Sequence, residues 1–217
     1  MVNLEYILFI CVVAPLFLML LMMPGRARLS LGFMIIGIVV CLFVSELNAL
    51  LLPLFGYDMT YTTSVITPIT EEIIKAIPIL FYAKVFSDKR DTIMMISLAL
   101  GIGFGMFENT VVLVQNIGAV TVTWAVIRGF STALMHGICT LSVGFGISFI
   151  NKKRKLFYTG VFALLTFAAI YHGIFNMMQM DYRYIGTFIP ILTYIPVLFF
   201  QSKYLRAHKK AANASAG

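Results

Sequence analysis

Ionisable residues stand inside long apolar stretches of this 217-residue chain. They are Glu46, Glu71, Glu72, Lys75, Glu108, Arg128, His136 and His172. A charge inside a bilayer costs ~2.5–3.5 kcal/mol on insertion scales, so such residues usually pair with one another or act in a cavity. Glutamates and imidazoles supply general acids, general bases or metal ligands, and amides or neutral imidazoles can donate to an oxyanion. The set indicates hydrolytic chemistry or ion binding.

The spacing of these residues places them on shared helical faces. Intervals of four occur in Glu71–Lys75, in Arg128–Thr132–His136 and in His172–Asn176. Residues at this interval lie on one face of an α-helix. Gly101 and Gly105, also four apart, precede Glu108 and would allow another helix to approach closely. Each helix is therefore expected to direct its polar groups toward a common cavity.

The composition shows which elements must carry these residues. Hydrophobic residues make up 60% of the chain and charged residues 12%, whereas soluble domains have about 45–50% and 25%. The sequence therefore predicts an all-α polytopic membrane bundle, with one transmembrane domain over 1–210 and a disordered tail over 211–217. It excludes a soluble enzyme and, despite a net charge of +7, a nucleic-acid partner. About seven spans are predicted, at 4–23, 30–54, 63–84, 92–116, 121–149, 156–179 and 185–202.

Basic residues are distributed unequally between the loops of this seven-span arrangement. Thirteen of the sixteen lie in the first, third and fifth loops and the C-terminal tail, whereas Arg183 alone lies in the other loops. Because cytoplasmic segments are enriched in Lys and Arg, the N-terminus is predicted outside and the C-terminus in the cytoplasm.

Depth along the predicted spans brings the polar groups into one layer near the outer face. At ~1.5 Å per residue, Glu71 and Glu108 each lie ~12 Å from the outer end of their span. His172 lies ~10 Å from it, and His136 is the outlier at ~20 Å. We therefore predict that the carboxylates and the two imidazoles converge within about 10 Å, a distance that includes water-bridged contacts.

Four short motifs in order resemble those of the PrsW family of intramembrane proteases, a group related to the CAAX-processing endopeptidases and bacteriocin-processing membrane proteases. They are Glu71-Glu72-Ile-Ile-Lys75, Gly103-Phe104-Gly-Met-Phe-Glu108-Asn109, Arg128-xxx-Thr132-xxx-His136 and His172-Gly-Ile-Phe-Asn176, all within residues 65–180. The resemblance implies a protease of the bacterial plasma membrane. It also implies the first, outer-side cut in a single-pass, membrane-anchored substrate such as an anti-sigma factor.

The resemblance also implies which side chains act. It assigns site positions to Glu71, Glu72, Glu108, His136, His172 and Asn176. We expect support from Lys75, Asn109, Arg128, Thr132 and Glu46. Arg128 is expected to act as a counter-charge for the carboxylates, and Glu46, which lies outside the motifs, to partner Arg128 or Lys75. In the CAAX branch a histidine takes the position of Glu108, which is a departure in this chain.

Two ways of activating water fit these residues. In the first, one glutamate of the 71/72 pair is the general base and no cofactor is needed. Glu108 and His136 then help to hold the water, and His172 with Asn176 stabilises the oxyanion. In the second, a divalent metal such as zinc is bound by Glu108, His136 and His172 with Glu71 or Glu72. Zinc proteases usually carry a compact helical motif such as HExxH, whereas these residues lie on four separate helices. The sequence therefore favours the metal-free, glutamate-type mechanism.

Two other classes of protein compete with a protease. The outer polar cluster could bind a cation or proton in a small carrier, or the chain could be a catalytically idle relative that only binds membrane peptides. Carriers usually show paired repeats with broken helices at mid-membrane, and the sequence shows none. The predicted spans also have no acidic residue in their inner halves to carry a proton across.

The predicted topology is testable by cysteine labelling in a variant that lacks Cys11, Cys41 and Cys139. With a membrane-impermeant maleimide on intact cells, Gly118→Cys should be labelled because its loop faces outside. Lys153→Cys should be labelled only after the cells are permeabilised, because its loop is rich in basic residues. Labelling of position 153 in intact cells would contradict the topology.

Overall fold

The structure, a computed structural model, describes residues 4–151, 153–181, 185–193 and 195. Its helices are α1 (Leu4–Met22), α2 (Gly25–Leu51), α3 (Met59–Tyr61), α4 (Thr67–Val85), α5 (Arg90–Gln115), α6 (Val122–Ile147) and α7 (Arg154–Asp181). Residues 185–193 are helical as well. Only helices and turns occur among these residues, which confirms the all-α prediction there. The predicted disordered tail, 211–217, lies outside the described residues.

Four of the described helices are long and apolar enough to cross a membrane. They are Gly25–Phe55, Arg90–Gln115, Val122–Ile147 and Arg154–Gln179. These helices agree with the second, fourth, fifth and sixth predicted spans, so the chain is a membrane protein. The first predicted span is represented by a shorter apolar helix, Leu8–Met22. The seventh extends beyond the described residues, so the number of seven spans and their orientation stay predictions.

The third predicted span, 63–84, forms α4 together with a helical lead-in. The Asp58 carboxylate accepts a hydrogen bond from the Tyr61 N–H at 2.9 Å and thereby caps the one-turn helix α3. A π-helical turn, Thr62–Ile66, connects α3 to α4. The continuous helical segment therefore starts at Met59 rather than at residue 63. The charged residues of α4 come after the π-helical turn, where the helix is wider than an α-helix.

Glycines allow α5 to pack backbone to backbone against α2 and α6. A Cβ atom placed on Gly37 of α2 would lie 2.1 Å from the Leu100 carbonyl oxygen of α5. On the facing side of this seam, a Cβ atom on Gly103 would lie 2.1 Å from the Met34 carbonyl oxygen. A Cβ atom on Gly101 would lie 2.4 Å from the His136 carbonyl oxygen of α6. The expected close helix approach is therefore present on both sides of α5.

Apolar packing surrounds these seams. One buried cluster includes Ile79, Ile93, Ile96, Leu100, Met135, Cys139, Val143 and Ile147. A second includes Ile38, Val44, Phe104 and Phe107. Since lipid is as apolar as these side chains, close van der Waals packing and interhelical hydrogen bonds stabilise the bundle rather than the hydrophobic effect. The packing fixes α5 between α2 and α6, and α5 in turn positions Glu108.

The seam between α2 and α5 should tolerate no added methyl group. Gly37→Ala is expected to destabilise the protein by about 1–3 kcal/mol or more, because the methyl group would overlap a backbone carbonyl. Gly118→Ala is the matched control, because nothing lies within 4 Å of its added Cβ. Thermal unfolding in detergent would measure both, and equal Tm values for the two variants would contradict this packing.

Candidate active site

Helix α4 contributes three charged residues that are almost completely buried. The exposed fraction is 0% for Lys75, 1% for Glu72 and 6% for Glu71. Lys75 Nζ donates to Glu72 Oε1 at 2.6 Å, so the salt bridge joins residues three apart. Glu71 and Lys75 are both buried, in agreement with a shared helical face, but the ion pair of Lys75 is with Glu72. A helical side chain can contact the residues three and four positions away. Lys75 forms its salt bridge with Glu72, and the Glu71 carboxylate faces the two histidines.

His136 of α6 bridges Lys75 and Glu108. Lys75 Nζ lies 2.8 Å from His136 Nδ1, and Glu108 Oε2 of α5 lies 2.5 Å from His136 Nε2. An ammonium group has donors and no acceptor, so Nδ1 must accept from Lys75. The proton of a neutral His136 ring is then on Nε2, which donates to the Glu108 carboxylate. Lys75 therefore fixes the tautomer of His136 and takes up the single lone pair of Nδ1.

His172 of α7 is oriented in the same way by a glutamate. Its Nδ1 lies 3.0 Å from Glu72 Oε1. Because the Glu72 carboxylate is paired with Lys75, it accepts the hydrogen bond and His172 Nδ1 donates. The lone pair of a neutral His172 is then on Nε2. Its ring lies edge-on to that of His136, with centroids 4.8 Å apart.

Glu71 Oε2 lies between the lone pairs of the two rings. It is 3.8 Å from His172 Nε2 and 4.0 Å from His136 Nδ1. This oxygen is buried and has no hydrogen-bond partner among the described residues. Glu71, His136 and His172 offer three ligand atoms that all lie within 4.8 Å of one another. We call this arrangement of Glu71 Oε2, His136 Nδ1 and His172 Nε2 the acceptor triangle. Glu71 Oε2 and His172 Nε2 are suited to a cation or a hydrogen-bonded water, and His136 Nδ1 would join them only if Lys75 Nζ released it.

His136 contacts Glu108 although it is expected to lie deeper along its helix. Gly105 of α5 packs closely against Thr132 and His136 of α6, which sets the register of these two helices. Side chains lean toward the N-terminus of their own helix. In an antiparallel pair, Glu108 and His136 therefore reach toward each other and close a backbone gap of about six residues, or roughly 9 Å along the helix axis. The predicted convergence of Glu71, Glu72, Glu108, His136 and His172 is confirmed.

Phe104 packs its aromatic ring against the cluster and was not predicted to be a site residue. Its ring centroid is 4.8 Å from that of His136 and 4.5 Å from Lys75 Nζ. The ring face can stabilise the buried ammonium through a cation–π contact. Phe104 stands four residues before Glu108, so the helical interval could have identified it.

The Asn176 side chain binds the backbone of the segment before α4. Its Nδ2 donates to the Thr63 carbonyl oxygen at 3.0 Å, in the π-helical turn before α4. Gly173 packs closely against the same turn, since an added Cβ atom would lie 2.6 Å from the Ser64 carbonyl oxygen. Asn176 therefore ties α7 to the segment that leads into Glu71, and its role as an oxyanion donor stays a prediction.

The supporting residues lie at different distances from this centre. Thr132 is completely buried one turn before His136. Asn109 is buried next to Glu108 and packs near Gly129, since an added Cβ atom there would lie 3.7 Å from its Nδ2. Arg128 Nη1 donates to Gln179 Oε1 of α7 at 3.4 Å. Glu46 is exposed on α2, so its expected contact with Arg128 or Lys75 stays a prediction.

Comparison with known proteins identifies one family. A family model described as PrsW family intramembrane metalloprotease matches residues 25–201. No curated protein and no solved structure matches the chain. The matched range starts with α2 and includes every residue of the cluster described above, so the resemblance seen in the four motifs is confirmed.

The buried ion pair should respond asymmetrically to substitution. Lys75→Met leaves the Glu72 carboxylate buried without its cation, and we expect destabilisation of about 3–5 kcal/mol. Adding Glu72→Gln to that variant removes the uncompensated charge and should restore part of the loss. Unfolding in a denaturing detergent would measure both. The Glu72→Gln single variant is measured as well. If the destabilisation of the double variant equalled the sum of the two single destabilisations, the pairing would be contradicted.

Proposed function

The chain belongs to the PrsW family of intramembrane proteases, and from this membership we propose that it is an endopeptidase. Its reaction is hydrolysis of a peptide bond in a single-pass, membrane-anchored protein, near the outer face of the bacterial plasma membrane. An anti-sigma factor receiving its first cut is the substrate type that the motifs suggest. The observation that carries this proposal is the acceptor triangle, in which two imidazoles and a carboxylate converge in a buried position.

Hydrolysis requires an activated water molecule and stabilisation of the developing oxyanion. In the triangle, Glu71 Oε2 and His172 Nε2 provide lone pairs that can hold and deprotonate water. Lys75, buried against His136 and Glu72, provides positive charge beside it. Glu108 has a side chain that is 26% exposed, much more than its partners, so water and substrate approach from its side. These features support an enzyme over a passive peptide binder.

The residues of the triangle also fit a divalent metal. Two histidines and one carboxylate are a common ligand set of catalytic zinc sites. Glu71 Oε2 is a buried oxygen without a hydrogen bond in the described part of the chain. The other ring nitrogens of His136 and His172 are bound to Glu108 and Glu72, as metal-binding histidines usually are. Glu71, His136 and His172 would hold the ion once Lys75 Nζ had given up its hydrogen bond to His136 Nδ1, and Glu108 would lie behind His136 rather than act as a ligand.

A metal bound there supplies Lewis-acid chemistry, which acidifies water and polarises a carbonyl. The chain's own groups then have separate tasks. Glu72 and Glu108 orient the imidazoles and fix their tautomers. Glu72 Oε2 is also buried and without a hydrogen bond among the described residues, so it is the carboxylate oxygen that can accept the proton of the attacking water. This division distinguishes the two adjacent glutamates, with Glu71 as ligand and Glu72 as base.

One observation favours a second candidate mechanism, the metal-free one. Lys75 Nζ already lies 2.8 Å from His136 Nδ1, which places a cation at one corner of the triangle. In this mechanism Glu71 Oε2 is the general base, since it faces both imidazoles, and Lys75 stabilises the developing negative charge. We give the metal mechanism precedence because both histidines carry a carboxylate on the nitrogen that faces away from the triangle.

Chelation distinguishes the two mechanisms. Purified protein in liposomes should cleave a model single-pass peptide, lose that activity after treatment with a strong chelator and regain it with Zn²⁺. Elemental mass spectrometry should find about one zinc ion per chain, and His172→Ala should lower the zinc content. Full activity in a metal-free preparation would contradict the metal mechanism and support Glu71 as the base.

The glutamates should differ in the size of their effects. Glu71→Gln should abolish cleavage, because it removes either the ligand or the base. Glu108→Gln should lower metal affinity or activity by about 10–100-fold, the usual loss for a residue that supports a ligand. Asp91→Asn is the matched control, since Asp91 is exposed in the first turn of α5. Initial rates of peptide cleavage measure all three, and an active Glu71→Gln protein would refute the assignment.

A further inference from the structure

Lys75 occupies one corner of the acceptor triangle. Its Nζ lies 2.8 Å from His136 Nδ1 and takes up the lone pair with which that ring would bind a metal. We propose that Lys75 is a built-in competitor of the metal, which holds the His136 corner in the metal-free protein and gives it up when a divalent cation such as Zn²⁺ binds. The inference rests on the metal-dependent form of the proposed function and adds a residue that regulates how readily the site takes up its metal.

An ammonium proton and a metal ion cannot share the same ring nitrogen. A neutral imidazole has one nitrogen that carries a proton and one that offers a single lone pair. Because His136 Nε2 is bound to the Glu108 carboxylate, the ring can bind a metal in the triangle only through Nδ1. Lys75 Nζ and a metal ion therefore exclude each other at this atom. The apparent affinity for the metal falls with the fraction of protein in which Lys75 holds it.

The other two corners of the triangle are already directed toward a cation. Glu71 Oε2 is buried and has no hydrogen-bond partner in the described part of the chain. His172 Nδ1 is bound to Glu72, so the Nε2 of that ring faces Glu71 Oε2 at 3.8 Å. His136 Nδ1 lies 4.0 Å from the same oxygen. A change of partner by Lys75 therefore completes a ligand set whose three atoms are already neighbours.

The ammonium group keeps other partners when it leaves His136. Its Nζ donates to Glu72 Oε1 at 2.6 Å and lies 4.5 Å from the centroid of the Phe104 ring. A carboxylate and an aromatic face both stabilise a buried ammonium group. The flexible four-carbon stem of lysine allows such a change of partner by rotation about its own bonds. Lys75 can therefore yield to a metal ion without leaving its charge uncompensated.

The competitor has a use in the metal-free protein. The carboxylates of Glu71, Glu72 and Glu108 lie close together around the two imidazoles, and buried carboxylates are costly without a counter-charge. Lys75 supplies a positive charge to this centre before any metal arrives. The site therefore fills only when the free metal concentration is high enough to displace Lys75, which makes metal supply a control over cleavage.

Removal of the competitor should strengthen metal binding, and this direction tests the proposal. The full chain is purified in detergent, stripped with a chelator and titrated with Zn²⁺ against a fluorescent zinc indicator. Lys75→Met should lower the Kd for Zn²⁺ by about 10-fold or more, as expected when one competing charged hydrogen bond is lost. Zn²⁺ should also raise the Tm of Lys75→Met protein by more than that of the wild type. A lysine that only supports the fold predicts the opposite change, because a loosened site binds metal more weakly.

Three further variants control for charge, for the place of binding and for folding. Lys84→Met removes the same charge from an exposed position in the last turn of α4 and should leave the Kd unchanged. His172→Ala, added to Lys75→Met, should abolish the gain, because it removes a ligand of the triangle. If Lys75→Met protein does not fold, the comparison is made with Glu72→Gln in both proteins. The double variant then has no uncompensated Glu72 carboxylate and should again bind Zn²⁺ about 10-fold more tightly than Glu72→Gln alone.

The possible results separate this inference from the proposed function. Equal or weaker Zn²⁺ binding after the removal of Lys75, in whichever pair of proteins folds, would overturn the competitor alone. No zinc binding by any variant would overturn both the competitor and the metal mechanism, and cleavage of the model peptide by the metal-free protein would then keep the endopeptidase. Tighter zinc binding without cleavage by any protein would refute the endopeptidase and keep the competitor.

Discussion

The buried ammonium group of Lys75 determines the arrangement of the whole polar centre. It has three protons to donate and finds Glu72 on its own helix and His136 on α6. These two contacts set the protonation of His136, and through Glu72 they set that of His172. The direction in which each imidazole presents its lone pair therefore depends on a residue that need not touch the substrate. A buried cation is costly unless its partners are fixed, so the fold must hold α4, α6 and α7 in register.

Much of this arrangement could be predicted from the sequence. Charged residues in apolar segments are stable only when they pair with one another or line a cavity, so Glu71, Glu108 and His172 were expected to lie close together. The helical intervals also identified the face of α6 that carries Thr132 and His136. The four long helices follow directly from hydropathy, because each contains an uninterrupted apolar stretch. The family was identified from the same motifs that now form the buried centre.

Other features depend on details that spacing does not contain. The choice of Lys75 between Glu71 and Glu72 depends on the rotation of α4 against the two histidines. The position of His136 depends on the lean of side chains in an antiparallel pair, which a count of residues from the membrane surface leaves out. The motif assigned Asn176 to the site, but its hydrogen bond to a π-helical turn could not be predicted, because only the backbone reveals that turn. The topology and the catalytic roles stay predictions.

The glycine seams on both sides of α5 have a consequence for catalysis. Gly37 and Gly103 remove the space between α2 and α5, and Gly101 and Gly105 do so between α5 and α6. Helices in backbone contact cannot slide or rotate without collision, so Glu108 and His136 keep their mutual position before any substrate arrives. Dipoles that are already oriented need not reorganise when charge develops, and this preorganisation is a large source of enzymatic rate enhancement. In the proposed hydrolysis, glycines without functional groups would thus lower the reorganisation energy of the reaction.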